Sequence, residues 1–164
     1  MKRFHFIRCV AIALCLLFTA TGACTQSDGN EKRKPQLGQS GKDVLWLPTP
    51  QVLVDTMLDM ANVTASDYVI DLGSGDGRMV IAAAKRGAMA LGIEYNQDFV
   101  EFARRAAAKE GVSERATFEK ADFFESDFSK ATVLTLFLLP DLNLKLRQKI
   151  LAIVALSVDF SCFC

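Results

Sequence analysis

The chain has 164 residues, enough for one domain with a core of its own, and its 19 basic side chains balance 19 acidic ones. That balance excludes the basic footprint by which a domain grips nucleic acid, and no nucleic-acid partner is expected. The hydrophobic share of 51% is slightly above the ordinary range, and both ends contribute to the excess.

Lys2, Arg3 and Arg8 precede an uncharged apolar run from Cys9 to Ala20, which exits through Thr21, Gly22 and Ala23. A basic start, about a dozen apolar residues and a small-residue exit form the layout of an export signal, and the run is short for a membrane span. Residues 1–23 are therefore expected to be a signal peptide, placing the protein in the periplasm or at a membrane. Gly22-Ala23-Cys24 is similar to the end of a bacterial lipoprotein signal, in which Cys24 would carry lipid and tether the chain; ordinary cleavage is the other outcome. An uncleaved anchor or an organelle presequence is the alternative.

Residues 24–43 are polar and carry the run Glu31-Lys32-Arg33-Lys34 together with Pro35, Gly38 and Gly41. Such a stretch cannot bury enough apolar surface to offset its ordering entropy, so it reads as a flexible linker. The five cysteines stand at 9, 15, 24, 162 and 164, outside the expected folded part and without metal-ligand spacing.

The expected domain, 44–151, opens on Leu45-Trp46-Leu47-Pro48-Thr49-Pro50. A helix follows with Thr49 as its cap, its apolar face formed by Val52, Leu53, Thr56, Met57, Met60 and Ala61. Tyr68 to Leu72 reads as strand 1 and Arg78 to Arg86 as a helix. Ala88 to Glu94 reads as strand 2, the helix bearing Phe99, Ala103, Ala106 and Ala107 closes at Gly111, and Thr117 to Ala121 reads as strand 3. The apolar run Ala131 to Leu139, stopped by Pro140, has the character of a parallel strand buried on both faces. A last helix starts at Asp141 or Asn143. Alternating strands and helices of this kind give an α/β, doubly wound, mainly parallel sheet.

The chemistry concentrates between strand 1 and its helix, in Asp71-Leu72-Gly73-Ser74-Gly75-Asp76-Gly77-Arg78. Glycine at every second position lets backbone approach a ligand closely, and the free N–H groups of the following helix point at the same place. The dinucleotide fingerprint would want glycine or alanine at 78, where arginine stands, and no Lys-Ser or Lys-Thr pair completes a P-loop. Glu94 follows Asp71 by 23 residues, the separation at which an acid on the second strand tip reaches ribose hydroxyls. Asp122 can accept from a base amino group and Phe123 can pack on the ring; a mere turn cap is nearly as good a reading of Asp122 taken alone, and its place at a third strand end favours the base.

The glycine loop, with Gly92-Ile93-Glu94-Tyr95-Asn96, Ala121-Asp122-Phe123 and Leu138-Leu139-Pro140-Asp141-Leu142-Asn143, resembles the class I, seven-strand S-adenosylmethionine-dependent methyltransferases. Within these it is similar to the small branch related to protein-lysine methyltransferases, which includes members behind an export signal. The resemblance implies a Rossmann-like fold, S-adenosyl-L-methionine as cofactor and methyl transfer to an acceptor, a protein lysine being the first expectation. It implies that Gly73, Ser74, Gly75 and Gly77 shape the loop under the methionine part, with Asp71 and Asp76 near its ammonium. Glu94 would hold the ribose, and Asp122 with Phe123 the adenine. It implies no obligatory catalytic base and no metal, and Pro48 and Thr49 would lie near the cofactor. Four strands of the family's seven can be found, so the sheet is expected to be truncated after the fourth, which would stand as an apolar edge in the order 3-2-1-4. Residues 152–164 then form an aberrant apolar tail. A catalytically idle nucleoside-binding module is the alternative function, and a nucleotide-dependent oxidoreductase is disfavoured by Arg78.

Overall fold

Val69 and Asp71 point to one side of the first strand, Ile70 and Leu72 to the other, and this period of two organises the molecule. The computed structural model describes Gly38, residues 46–154 and the strand Ser161–Phe163. The expected signal, Cys24 and the rest of the linker lie outside the described residues.

The elements are α1 (Gln51–Met60), β1 (Tyr68–Leu72), α2 (Arg78–Lys85), β2 (Met89–Glu94), α3 (Gln97–Lys109), β3 (Ala116–Lys120), β4 (Val133–Leu136), α4 (Pro140–Val154) and β5 (Ser161–Phe163). All pairings are parallel, in the order β3-β2-β1-β4-β5. The four expected strands thus stand in the expected order. The tail beyond residue 151 differs from expectation: α4 runs on to Val154, and Ser161–Phe163 pairs with Val133 to Thr135 of β4. An apolar strand with unpaired backbone groups is a template for another strand, and this short segment takes the place.

Two cores flank the sheet. Val54 and Leu58 of α1, Val80 and Ala83 of α2, and Val100 and Ala103 of α3 pack with Val69, Ala90 and Val133 on one face. Ile70, Leu72, Leu91, Ile93, Leu134 and Leu136 meet Phe128 and the α4 residues Leu146 and Ile150 on the other. Each fully buried side chain of this size contributes roughly 1.5–3 kcal/mol, so the two layers outweigh local helix preferences.

Several boundaries move for identifiable reasons. Thr49 does not cap α1; Pro50 is the N-cap, without a side-chain bond, and the Thr49 carbonyl is used elsewhere. The run expected as strand from Ala131 to Leu139 pairs only over Val133–Leu136, because its partner β1 ends at Leu72 opposite Leu136. Beyond that pair both chains turn towards the same cavity.

Candidate functional site

The carboxyl ends of parallel strands form a crevice, and in this sheet β1, β2 and β4 end together. A cavity of about 210 Å³ opens there. Its walls hold Asp71, Gly73, Ser74 and Asp76 from the end of β1 and the glycine loop, Glu94 from the tip of β2, and Asp122 and Phe123 from beyond β3. Seven of the nine expected cofactor-binding residues are thereby brought together.

Gly75 and Gly77 do not line the cavity, and both are spent on close approach. Gly77 caps α2 at φ +82°, where a Cβ would lie 2.7 Å from Ala103 Cβ and from Phe118. Gly75, at φ +52°, passes beneath the Trp46 indole, which a Cβ would strike. These conformations are ones that side-chain-bearing residues adopt at a cost. They let the loop turn sharply between β1 and α2 and lie flat under the segment 46–50.

Glu94 fixes the loop to β2. Its Oε2 accepts from the Gly75 amide at 2.9 Å and its Oε1 from the Asn96 amide at 2.8 Å. A carboxylate has about four lone-pair sites, so each oxygen retains capacity towards a ligand hydroxyl. The amides of Gly73 and Ser74 both donate to the Ile93 carbonyl, at 2.9 and 3.1 Å. Ser74 is 6% exposed and belongs to the cavity wall, while its Oγ is buried over Gly92 beside Phe118 without a hydrogen-bond partner.

Asp71 is buried and paired in register with Thr135 of β4, whose hydroxyl donates to Asp71 Oδ1 at 2.8 Å. Burial pushes the Asp71 carboxyl up to about 7; the Thr135 bond opposes that rise, while the neighbouring Glu94 and Asp76 carboxylates add to it. Such a group ionises more readily beside a cation. Asp76 already has one, because Arg78 grips both its oxygens, Nε lying 2.9 Å from Oδ1 and Nη2 2.5 Å from Oδ2. Asp122 does form the turn that was one of its two readings, accepting from the Phe124 amide at 3.0 Å, and it also reaches the cavity wall.

Trp46, Arg78, Tyr95, Phe99, Phe137 and Leu142 also line the cavity, although sequence reasoning gave them no part in it. Trp46 stacks obliquely on Phe99 with ring centroids 5.0 Å apart. Pro48 and Thr49 stand in the wall as expected, and Leu138 and Leu139 form the side towards β4. Among the described residues no group of His, Cys, Asp or Glu could hold a metal ion. No helix among them is long and apolar enough to cross a membrane.

The donor set fits an adenosyl sulfonium carrying an amino acid. Glu94 offers lone pairs for a ribose, Asp122 and Phe123 offer an acceptor and a ring for a base, and Asp71 offers a carboxyl that a nearby cation would ionise.

Comparison with known proteins agrees with this chemistry. The ANTKMT methyltransferase domain matches residues 71–158. A protein-lysine N-methyltransferase of Saccharolobus islandicus (strain REY15A) is 44% identical over 109 residues, which are 65% of this chain and 68% of the relative. A lysine N-methyltransferase of an ATP synthase subunit, from Xenopus laevis, is 35% identical over 105 residues, 64% of this chain and 46% of the relative, so the chain spans less than half of that protein. A crystal structure described as an RNA methyltransferase from Salinibacter ruber, in complex with S-adenosyl-L-homocysteine, superposes with a TM-score of 0.63 at 48% identity, over 65% of this chain and 70% of that one. The cofactor is accordingly S-adenosyl-L-methionine.

Proposed function

Since the chain belongs to the ANTKMT methyltransferase-domain family, we propose that it transfers a methyl group from S-adenosyl-L-methionine to the side-chain amine of a protein lysine. The observation carrying this reading is the cavity in which Asp71, Ser74, Glu94 and Asp122 meet an apolar wall of Phe137, Leu138, Leu139 and Leu142.

The bound cofactor supplies an activated methyl group on a sulfonium, open to in-line displacement by an amine lone pair. The chain's part is binding, alignment and exclusion of water. In this reading Glu94 takes the ribose hydroxyls, Asp122 and Phe123 the adenine, and the loop Gly73 to Gly77 lies under the methionine part. Because Asp76 is engaged by Arg78, Asp71 is the carboxylate left to meet positive charge there. Leu138 and Leu139 act on the acceptor: an ammonium entering an apolar mouth loses hydration, which favours the neutral amine that attacks. No general base is needed.

A lysine acceptor is supported by the activities of the archaeal and vertebrate relatives, and the neutral net charge argues against a nucleic-acid substrate. The description of the Salinibacter structure as an RNA methyltransferase makes RNA the second reading. Incubating the full chain with methyl-labelled cofactor and separate protein and RNA fractions decides between them. Label on protein lysine is expected; label on RNA alone overturns the acceptor, and binding without transfer to either overturns the enzyme in favour of an idle module. Export and lipidation at Cys24 belong to the same proposal, supported by the basic and apolar segments of residues 1–23. N-terminal sequencing of the mature protein tests them.

A further inference from the structure

Arg78 is the residue that rejects the dinucleotide pattern, yet its side chain does something specific. Besides gripping Asp76, it donates from Nη1 to the Thr49 carbonyl at 2.8 Å, 29 residues earlier in the chain. Trp46, Leu47, Pro48 and Thr49 all line the cofactor cavity. Two further contacts hold the same segment, the Trp46 ring against Phe99 and the indole over Gly75.

We propose that Arg78 is a positioning residue that ties the segment 46–50, as a strap, to the glycine loop and so sets how long the cofactor site keeps its ligand. The planar fork is what the task requires. One edge is committed to the Asp76 carboxylate, which fixes the plane of the guanidinium, and an Nη1 N–H is thereby aimed at Thr49. A lysine can pair with Asp76 but cannot present a second donor in a fixed direction. Asp76, for its part, orients Arg78.

The chain contains one tryptophan, and it sits on the strap. Its emission reports where the strap lies, since an indole moves to longer wavelength in water. The inference relies on the methyltransferase reading only for the identity of the ligand, and the test separates the two. In the full chain, Arg78→Met and Arg78→Lys are compared with wild type for Trp46 emission without ligand and for dissociation of S-adenosyl-L-homocysteine. Both variants are expected to emit at longer wavelength and to release the ligand about tenfold faster, the scale of a lost hydrogen bond to a charged group. If Arg78→Met does not fold, Arg78→Lys, which keeps the pair with Asp76, carries the test. Wild-type emission and wild-type release in Arg78→Lys overturn the proposal. Should wild type itself bind no S-adenosyl-L-homocysteine, the cofactor assignment fails, and the emission of the unliganded variants still decides the tie.

Discussion

The two sides of the cavity are built in opposite ways. Towards β1 and β2 the wall is a network of directed bonds: Glu94 to the Gly75 and Asn96 amides, Ile93 to Gly73 and Ser74, Thr135 to Asp71, and Arg78 to Asp76 and Thr49. Towards β4 and α4 it is Phe137, Leu138, Leu139 and Leu142, beside which Asn143 Nδ2 makes a long bond to the Leu138 carbonyl at 3.4 Å. Phe137 and Leu139 are 47% and 49% exposed. The bonded side holds its polar groups in fixed directions. The apolar side defines only a kind of surroundings, which is why the molecule speaks more clearly about its cofactor than about its acceptor.

The change with the largest expected effect strikes the scaffold of the bonded side. Gly77→Val places a branched side chain at φ +82° against Ala103 and Phe118 and is expected to cost about 3 kcal/mol or more of stability, read from urea unfolding of the full chain. An unchanged midpoint would mean that the loop can move away from α3 and β3.

Glu94→Ala comes next. It removes the acceptor of two loop amides together with the proposed ribose contact, and about 2–3 kcal/mol of cofactor affinity should go with it, roughly thirtyfold or more. Calorimetric titration with S-adenosyl-L-homocysteine measures this, and a loss below threefold would break the contrast between the two sides.

Asp71 makes the third test one of pH. Its carboxyl is raised to about 7 in the folded chain, so its protonated form favours the unliganded fold: that contribution is full below the ordinary carboxylate range and is lost as pH climbs to about 7. A cationic ligand reverses the preference by favouring the ionised form. Affinity for S-adenosyl-L-methionine should therefore increase from pH 5 to about 7 and then level off, with proton release on binding, and Asp71→Asn should flatten the profile. A flat profile in wild type would show that the ligand's positive charge lies elsewhere.

The smallest effect on cofactor is expected from Phe137→Ser, on the apolar side. Cofactor affinity should change by less than about threefold, the yield of losing part of one exposed contact area, while the KM for a protein acceptor rises. An equal fall in cofactor affinity would show that the two sides act as one.

Much of this site was legible in the chain because its signals are local. Three glycines at alternate positions after an apolar strand can only be a tight turn, and two acids at the tips of successive parallel strands must face one crevice. The roles of Trp46, Tyr95 and Phe99 were not legible, because an aromatic residue near a strand end or on a helix reads first as ordinary packing. Arg78 was visible only as an irregularity in a motif, since its second partner is 29 residues away. The strap and the fifth strand share that origin: both depend on contacts between segments distant in sequence.

By itself the sequence determined the order of strands and helices, the turn at Gly73 to Gly77 and the acids at the strand ends that line the cavity, because period, glycine conformation and strand polarity are properties of short stretches. Tertiary structure alone decided that Asp71 is buried beside Thr135 and raised to about 7, that Asp76 is engaged by Arg78, and that β4 is covered by Ser161–Phe163. Burial, charge pairing and edge pairing depend on what the rest of the chain brings alongside.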